Sequence, residues 1–92
     1  MDRLSEEEIT AELDNVAWQR DGEAIVLDRK FKDFAEAMEF VNRVAGAAED
    51  ADHHPDILVH GWNGVRLTLY THTVEGLTAA DFTMARTIDE LG

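Results

Sequence analysis

The chain has 92 residues, no cysteine, and 20 acidic against 8 basic side chains, a formal net charge of −12. A chain of this length folds as one domain around a single core, and without cysteine it has no disulfide framework, thiolate nucleophile or zinc-finger ligand set. The excess negative charge repels nucleic-acid backbones and anionic lipid surfaces, which argues against direct nucleic-acid or membrane binding. The acidic start Met1-Asp2-Arg3-Leu4-Ser5-Glu6-Glu7-Glu8 is unlike a secretory signal, and no apolar run approaches the roughly 20 residues of a bilayer-spanning helix. A cytoplasmic location is therefore expected. The acids are spread along the chain and only two lysines occur, Lys30 and Lys32, a balance that suits a surface adapted to high salt as well as it suits ordinary solubility.

Ser5-Glu6-Glu7-Glu8 has the form of a capping box, with acids in the first turn favouring the helix dipole, and predicts a first helix from Glu6 to Asn15. Asp21-Gly22 is a turn dipeptide between Trp18-Gln19-Arg20 and the β-rich run Ala24 to Phe31, which predicts a hairpin. Asp33 then caps a long helix in which Phe34, Ala37, Met38, Val41, Val44, Ala45 and Ala48 recur at helical spacing and are expected to face inwards. Glu36, Glu39, Asn42 and Arg43 take the outer face.

Pro55 ends that region, since it has no amide proton and biases His54 away from helical angles. Ile57 to His60 and Val65 to Thr71 read as two strands joined by Gly61-Trp62-Asn63-Gly64, where Asn-Gly is a hairpin signal. Val65, Leu67, Leu69 and Thr71 share one face of the second strand, leaving Arg66, Thr68, Tyr70 and His72 on the other. Thr78-Ala79-Ala80-Asp81 opens a last helix with Phe82, Ala85, Ile88 and Leu91 facing inwards. The order α-β-β-α-β-β-α over residues 1–92 predicts a single α+β domain, a four-stranded antiparallel sheet with helices on one face.

Chemistry concentrates in Asp52-His53-His54-Pro55, followed by Trp62, His72 and Asp81. His53 and His54 lie 19 and 18 residues before His72, so the hairpin between them must bring the three imidazoles together. Histidine exchanges protons near neutral pH without special tuning, so such a group suits an acid–base reaction. Glu49 is placed to orient an imidazole, although it also reads as a solvated helix end. Asp81 serves equally as a helix N-terminal acid, and Trp62 as a hairpin aromatic or a stacking wall for a flat heterocycle. Three histidines also raise the possibility of zinc or iron, but no metal or other cofactor is expected.

The spacing Glu49, three residues, His53-His54-Pro55, six residues, Trp62, nine residues, His72, eight residues, Asp81 resembles the signature of the pterin-4a-carbinolamine dehydratases. The likeness extends from Leu4-Ser5 through Trp18, Phe31-Lys32-Asp33-Phe34 and Arg43-Val44-Ala45 to Gly76-Leu77-Thr78. It implies an α+β fold and a dehydratase that turns a 4a-hydroxytetrahydropterin into quinonoid dihydropterin and water, in the recycling of tetrahydrobiopterin or a related tetrahydropterin. By that resemblance His53 and His72 are the acid–base pair, His54 binds or assists, and Glu49, Trp62 and Asp81 bind or support. It further implies a homodimer or homotetramer and a functional link to an aromatic amino-acid hydroxylase. Trp62 stands where many members have tyrosine, the segment from Pro55 to Trp62 is one residue longer than in animal members, and Ile57 replaces a tryptophan of some. The alternatives are a non-catalytic interaction or dimerisation module on the same fold, and a role on another pterin, as in molybdenum-cofactor metabolism.

Overall fold

The computed structural model describes residues 2–91. Its elements are α1 (Glu6–Leu13), β1 (Gln19–Asp21), β2 (Ala24–Lys30), α2 (Phe34–Ala51), β3 (Asp56–His60), β4 (Gly64–Leu69), a short 3-10 turn (His72–Val74) and α3 (Ala79–Glu90). The four strands form one antiparallel sheet in the order β1-β2-β4-β3. Ile25 and Leu27 of β2 and Val65, Leu67 and Leu69 of β4 are buried with Ile9, Phe40, Val44, Phe82, Ala85 and Ile88 of the three helices. All helices therefore lie on one face, and the sheet's other face is open, as the α-β-β-α-β-β-α order predicts.

The capping box of α1 is formed in full: the Glu8 amide donates to the Ser5 hydroxyl and the Ser5 amide to the Glu8 carboxylate. Hydrogen bonding from Ser5 to the carboxylate, first from its backbone amide and second from its side chain, holds the Glu8 carboxyl below the usual carboxylate range. The helix stops at Leu13, two residues short of expectation, because the Asp14 and Asn15 amides bond back to Ala11 and Glu12 in a tightened last turn. At the other end of the chain, Asp89 of α3 accepts from the Ala17 amide and the Trp18 indole at 2.9 and 3.0 Å, pinning α3 to the entry of β1.

The buried seam of α2 is Ala37, Phe40, Val44 and Ala48, so the expected inward face was only partly right. Phe34 is 53% exposed, Ala45 is exposed, and Met38 and Val41 are half-buried. The helix carries two parallel apolar stripes, and a period of 3.6 cannot tell which of two adjacent stripes meets the sheet. The β3–β4 turn also differs. His60 pairs with Gly64, leaving Gly61-Trp62-Asn63 as the loop, and the left-handed residues are Gly61 and Trp62, with φ of 56° and 60°. Asn63 is held out of that role, since its side-chain amide donates to the Phe31 carbonyl and its own carbonyl accepts from the Phe31 amide.

Two expectations follow. Trp62 is bulky, left-handed and 61% exposed, so Trp62→Gly should relieve backbone strain and raise unfolding free energy by a few tenths to about 1 kcal/mol; a fall in the denaturant midpoint would show that the indole packs productively. The ion pairs Arg20–Glu6, Arg66–Asp28 and Arg86–Glu12 are all at least partly exposed, and since each is neutral the net charge of −12 stays unopposed. Raising KCl from about 0.1 M to about 1 M shortens the Debye length from roughly 10 to 3 Å and should raise the melting temperature; an unchanged value would mean that charge repulsion is not felt by the folded state.

Candidate active site

The end of α2 aims the histidine pair. Asp52 takes a left-handed conformation (φ 51°), its amide bonding to Glu49, while the His53 amide reaches back to the Ala48 carbonyl at 3.1 Å. This is a Schellman-type ending, and buried Pro55 prevents the chain from resuming a helix. His53 is thereby turned under the start of α3 and His54 outwards.

His53 Nε2 lies 2.6 Å from Asp81 Oδ1. Asp81 is completely buried, and its second oxygen accepts from the Thr71 hydroxyl at 2.7 Å and the Thr78 amide at 3.0 Å. Thr71 has one hydroxyl proton, which it gives to Asp81, so the 2.9 Å contact between the two threonine hydroxyls must be donated by Thr78. Each donor in the cluster is used once, and among the described residues no buried side-chain polar atom lacks a partner. Asp81 thus fills both roles open to it in the sequence: it caps α3 and orients an imidazole. The bond places the neutral imidazole's proton on Nε2, where it donates to the carboxylate, and leaves Nδ1 as a bare lone pair.

His54 Nε2 pairs with the exposed carboxylate of Glu49. β4 ends at Leu69, two residues before the expected Thr71, so His72 is not on a strand face but opens the 3-10 turn, because Thr71 bonds to Gly76 across a tight reversal. Its ring stands edge-on to Tyr70, 4.8 Å between centroids. Asp52, His53, His54, Tyr70, Thr71, His72 and Thr73 enclose a cleft of about 380 Å³. The hairpin has therefore united the three histidines, with Glu49 and Asp81 behind two of them.

Trp62 is not part of that group. It sits at the tip of the β3–β4 hairpin, whereas the cleft lies at the other end, beyond Leu69. Asp52, at the head of the histidine motif, also lines the cleft, and Tyr70, Thr71 and Thr73 join it without having been named as site residues; the signal for Tyr70 was its expected place on the same strand face as His72. Among the described residues no group of three His, Asp or Glu side chains is placed to hold a metal ion, and no helix is long and apolar enough to cross a membrane.

Three imidazoles thus face one open cleft at the end of a four-stranded α+β sheet, one of them held by a buried carboxylate. The chain belongs to the pterin 4 alpha carbinolamine dehydratase family, whose model matches residues 2–91. A provisionally named pterin-4-alpha-carbinolamine dehydratase of Thermomicrobium roseum is 47% identical, covering 99% of this chain and 98% of its own length. A relative of the same provisional name from Natronomonas pharaonis is 41% identical over 98% of this chain and 96% of its own. Among solved structures, a transcriptional coactivator/pterin dehydratase from Brucella melitensis superposes with a TM-score of 0.91 at 39% identity, covering 98% of each chain. A pterin dehydratase-like protein described as a RuBisCO assembly factor of the alpha-carboxysome gives 0.66 at 25% identity, covering 83% of this chain and 87% of its own.

The Asp81 cluster also carries stability. Asp81→Asn keeps the shape but sets an amide N–H₂ against groups that all donate, so it should cost about 2–4 kcal/mol in chemical denaturation. An unchanged midpoint would mean that the carboxylate is dispensable to the fold.

Proposed function

We propose that this protein dehydrates a 4a-hydroxytetrahydropterin to quinonoid dihydropterin and water, within tetrahydropterin recycling and in the cytoplasm. The observation that carries the proposal is the His53–Asp81 pair beside His54 and His72 in one cleft. In the reaction the C4a–O bond breaks and the hydroxyl departs as water after taking a proton, while the adjacent ring N–H loses one. One group must give a proton and another must accept it.

His53 suits the acceptor, because its Nε2–H is committed to Asp81 and its free Nδ1 carries the lone pair. The imidazolium formed when it takes the proton stays beside an ionised carboxylate, which offsets the new charge. His72, in the same cleft, then protonates the departing hydroxyl, and Tyr70 holds its ring edge-on. His54, steadied by Glu49, binds the pterin's polar edge. No metal or cofactor is needed for this transfer. In a single chain Trp62 contributes no wall to the cleft.

Self-association would use two other surfaces. Edge strand β3 leaves Ile57 and Leu58 exposed, and the second apolar stripe of α2, with Phe34, faces outwards. A homodimer or homotetramer would cover both. A second reading, an interaction or assembly module that has no catalytic role, draws on that edge and on the coactivator and assembly-factor descriptions of the two structural neighbours.

Purified protein should accelerate decay of freshly generated 4a-hydroxytetrahydropterin, and His53→Ala and His72→Ala should each lower turnover by roughly 10²–10⁴-fold with unchanged circular dichroism. His54→Ala should raise KM more than it lowers kcat. Full turnover in both the His53 and His72 variants would reject histidine catalysis, and an inert but folded wild type would favour the interaction module or a different pterin.

A further inference from the structure

The open face of the sheet holds a second cleft, of about 480 Å³, lined by Asp28, Arg29, Lys30, His60, Gly64 and Arg66. It shares no residue with the histidine cleft, and the six-residue length of β4 from Gly64 to Leu69 separates the two. In a chain with only 8 Lys and Arg residues, three of them line this one depression.

The strand register explains how. Gly64 is the central residue of a cross-strand row, paired with Lys30 on one side and His60 on the other, so all three point to the open face. Gly64 has no side chain to fill the gap. A Cβ there would lie 3.0 Å from His60 Cε1 and 3.2 Å from Nε2, so the glycine allows the imidazole to lean across the row. One step along β4, Arg66 gives Nε and Nη2 to the two oxygens of Asp28, at 2.8 and 2.9 Å. That fork fixes the guanidinium on the cleft wall and leaves Nη1 with its two protons unengaged by Asp28. Among the described residues Lys30 makes no ion pair. Arg29 lines the cleft but carries its guanidinium over the Phe40 ring, 5.4 Å from the centroid, and is not counted as a donor.

The one acid present is already neutralised. Hydrogen bonds from Arg66 chiefly hold the Asp28 carboxyl below the usual range, with a smaller contribution from nearby His60. What remains is a glycine-floored notch with an ammonium, an imidazole and the free end of a guanidinium around it, matching an oxyanion with three acceptor oxygens. The protein's overall negative charge is screened beyond about 8 Å at physiological ionic strength, so these near groups dominate at the notch.

We infer that the open sheet face binds a phosphate group, free or as a small phosphomonoester, over Gly64 between Lys30, His60 and Arg66. The inference does not rest on the dehydratase reading. It is tested by following backbone amide and imidazole NMR signals of the full chain while adding inorganic phosphate, phenyl phosphate, or potassium chloride at matched ionic strength. The expected result is saturable movement of Lys30, His60, Gly64 and Arg66 with phosphate or its ester but not with chloride, with His53 and His72 unmoved. In the double variant Lys30→Gln, His60→Gln, affinity should fall roughly tenfold as two donors are lost, with dehydratase turnover unchanged. Saturable binding of either probe supports the site, and the tighter of the two names its source. Movement that chloride reproduces, that does not saturate, that centres on His53 and His72, or that keeps its affinity in the double variant would overturn it.

Discussion

A single buried carboxylate organises this molecule. Asp81 has lost all contact with water, and an ionised group in that position is tolerated only when donors replace its hydration. Three elements supply them: His53 from the end of α2, Thr71 from the reversal after β4, and Thr78 from the start of α3. The demand for those donors brings three distant pieces of chain to one point. That point adjoins the histidine cleft, so the interaction that closes the fold also orients the His53 imidazole. The same bond decides the proton's place on His53, and the geometry of the cleft follows from it.

Around this centre the division of labour is clear in the burial pattern. One face of the sheet carries an unbroken apolar layer under α2 and α3, and the histidine cleft lies at the sheet's end, where the chain changes direction. The Schellman ending at Asp52 and the 3-10 turn at His72 are both irregular backbone. Irregular segments free side chains from the sheet's alternation and let adjacent residues point into one space. The opposite face holds Lys30, His60 and the Arg66–Asp28 pair, and the β3–β4 tip carries the exposed Trp62.

Much of this was legible in the sequence, for physical reasons. The capping box at Ser5, the Asp21-Gly22 turn, the Asp33 cap and Pro55 are local signals that act over three or four residues, and each led to the observed element. The alternation Val65, Leu67, Leu69 named the core face of β4 because a strand's period leaves no second choice. The phase of α2 was less legible: Phe34 and Ala45 fit the same helical period as Ala37 and Val44, and the sheet, not the helix, decides that Phe40 is buried instead. Grouping His53, His54 and His72 needed only the hairpin. Recognising that Thr71 completes Asp81, or that Trp62 ends up at the far tip, required knowing where β4 stops, and that depends on a hydrogen bond between Thr71 and Gly76 that no local pattern announces.

The central claim is that Asp81 holds the proton of His53 on Nε2 and leaves Nδ1 to take a proton from a bound pterin. The most direct test is to record the ring nitrogens of His53 by long-range ¹H–¹⁵N NMR at mildly alkaline pH while a non-reactive dihydropterin is added. The account predicts a protonated Nε2 throughout, and an Nδ1 signal that starts as a bare nitrogen and moves saturably with the ligand. A proton found on Nδ1 in the free protein, or an Nδ1 signal indifferent to the pterin, would contradict it.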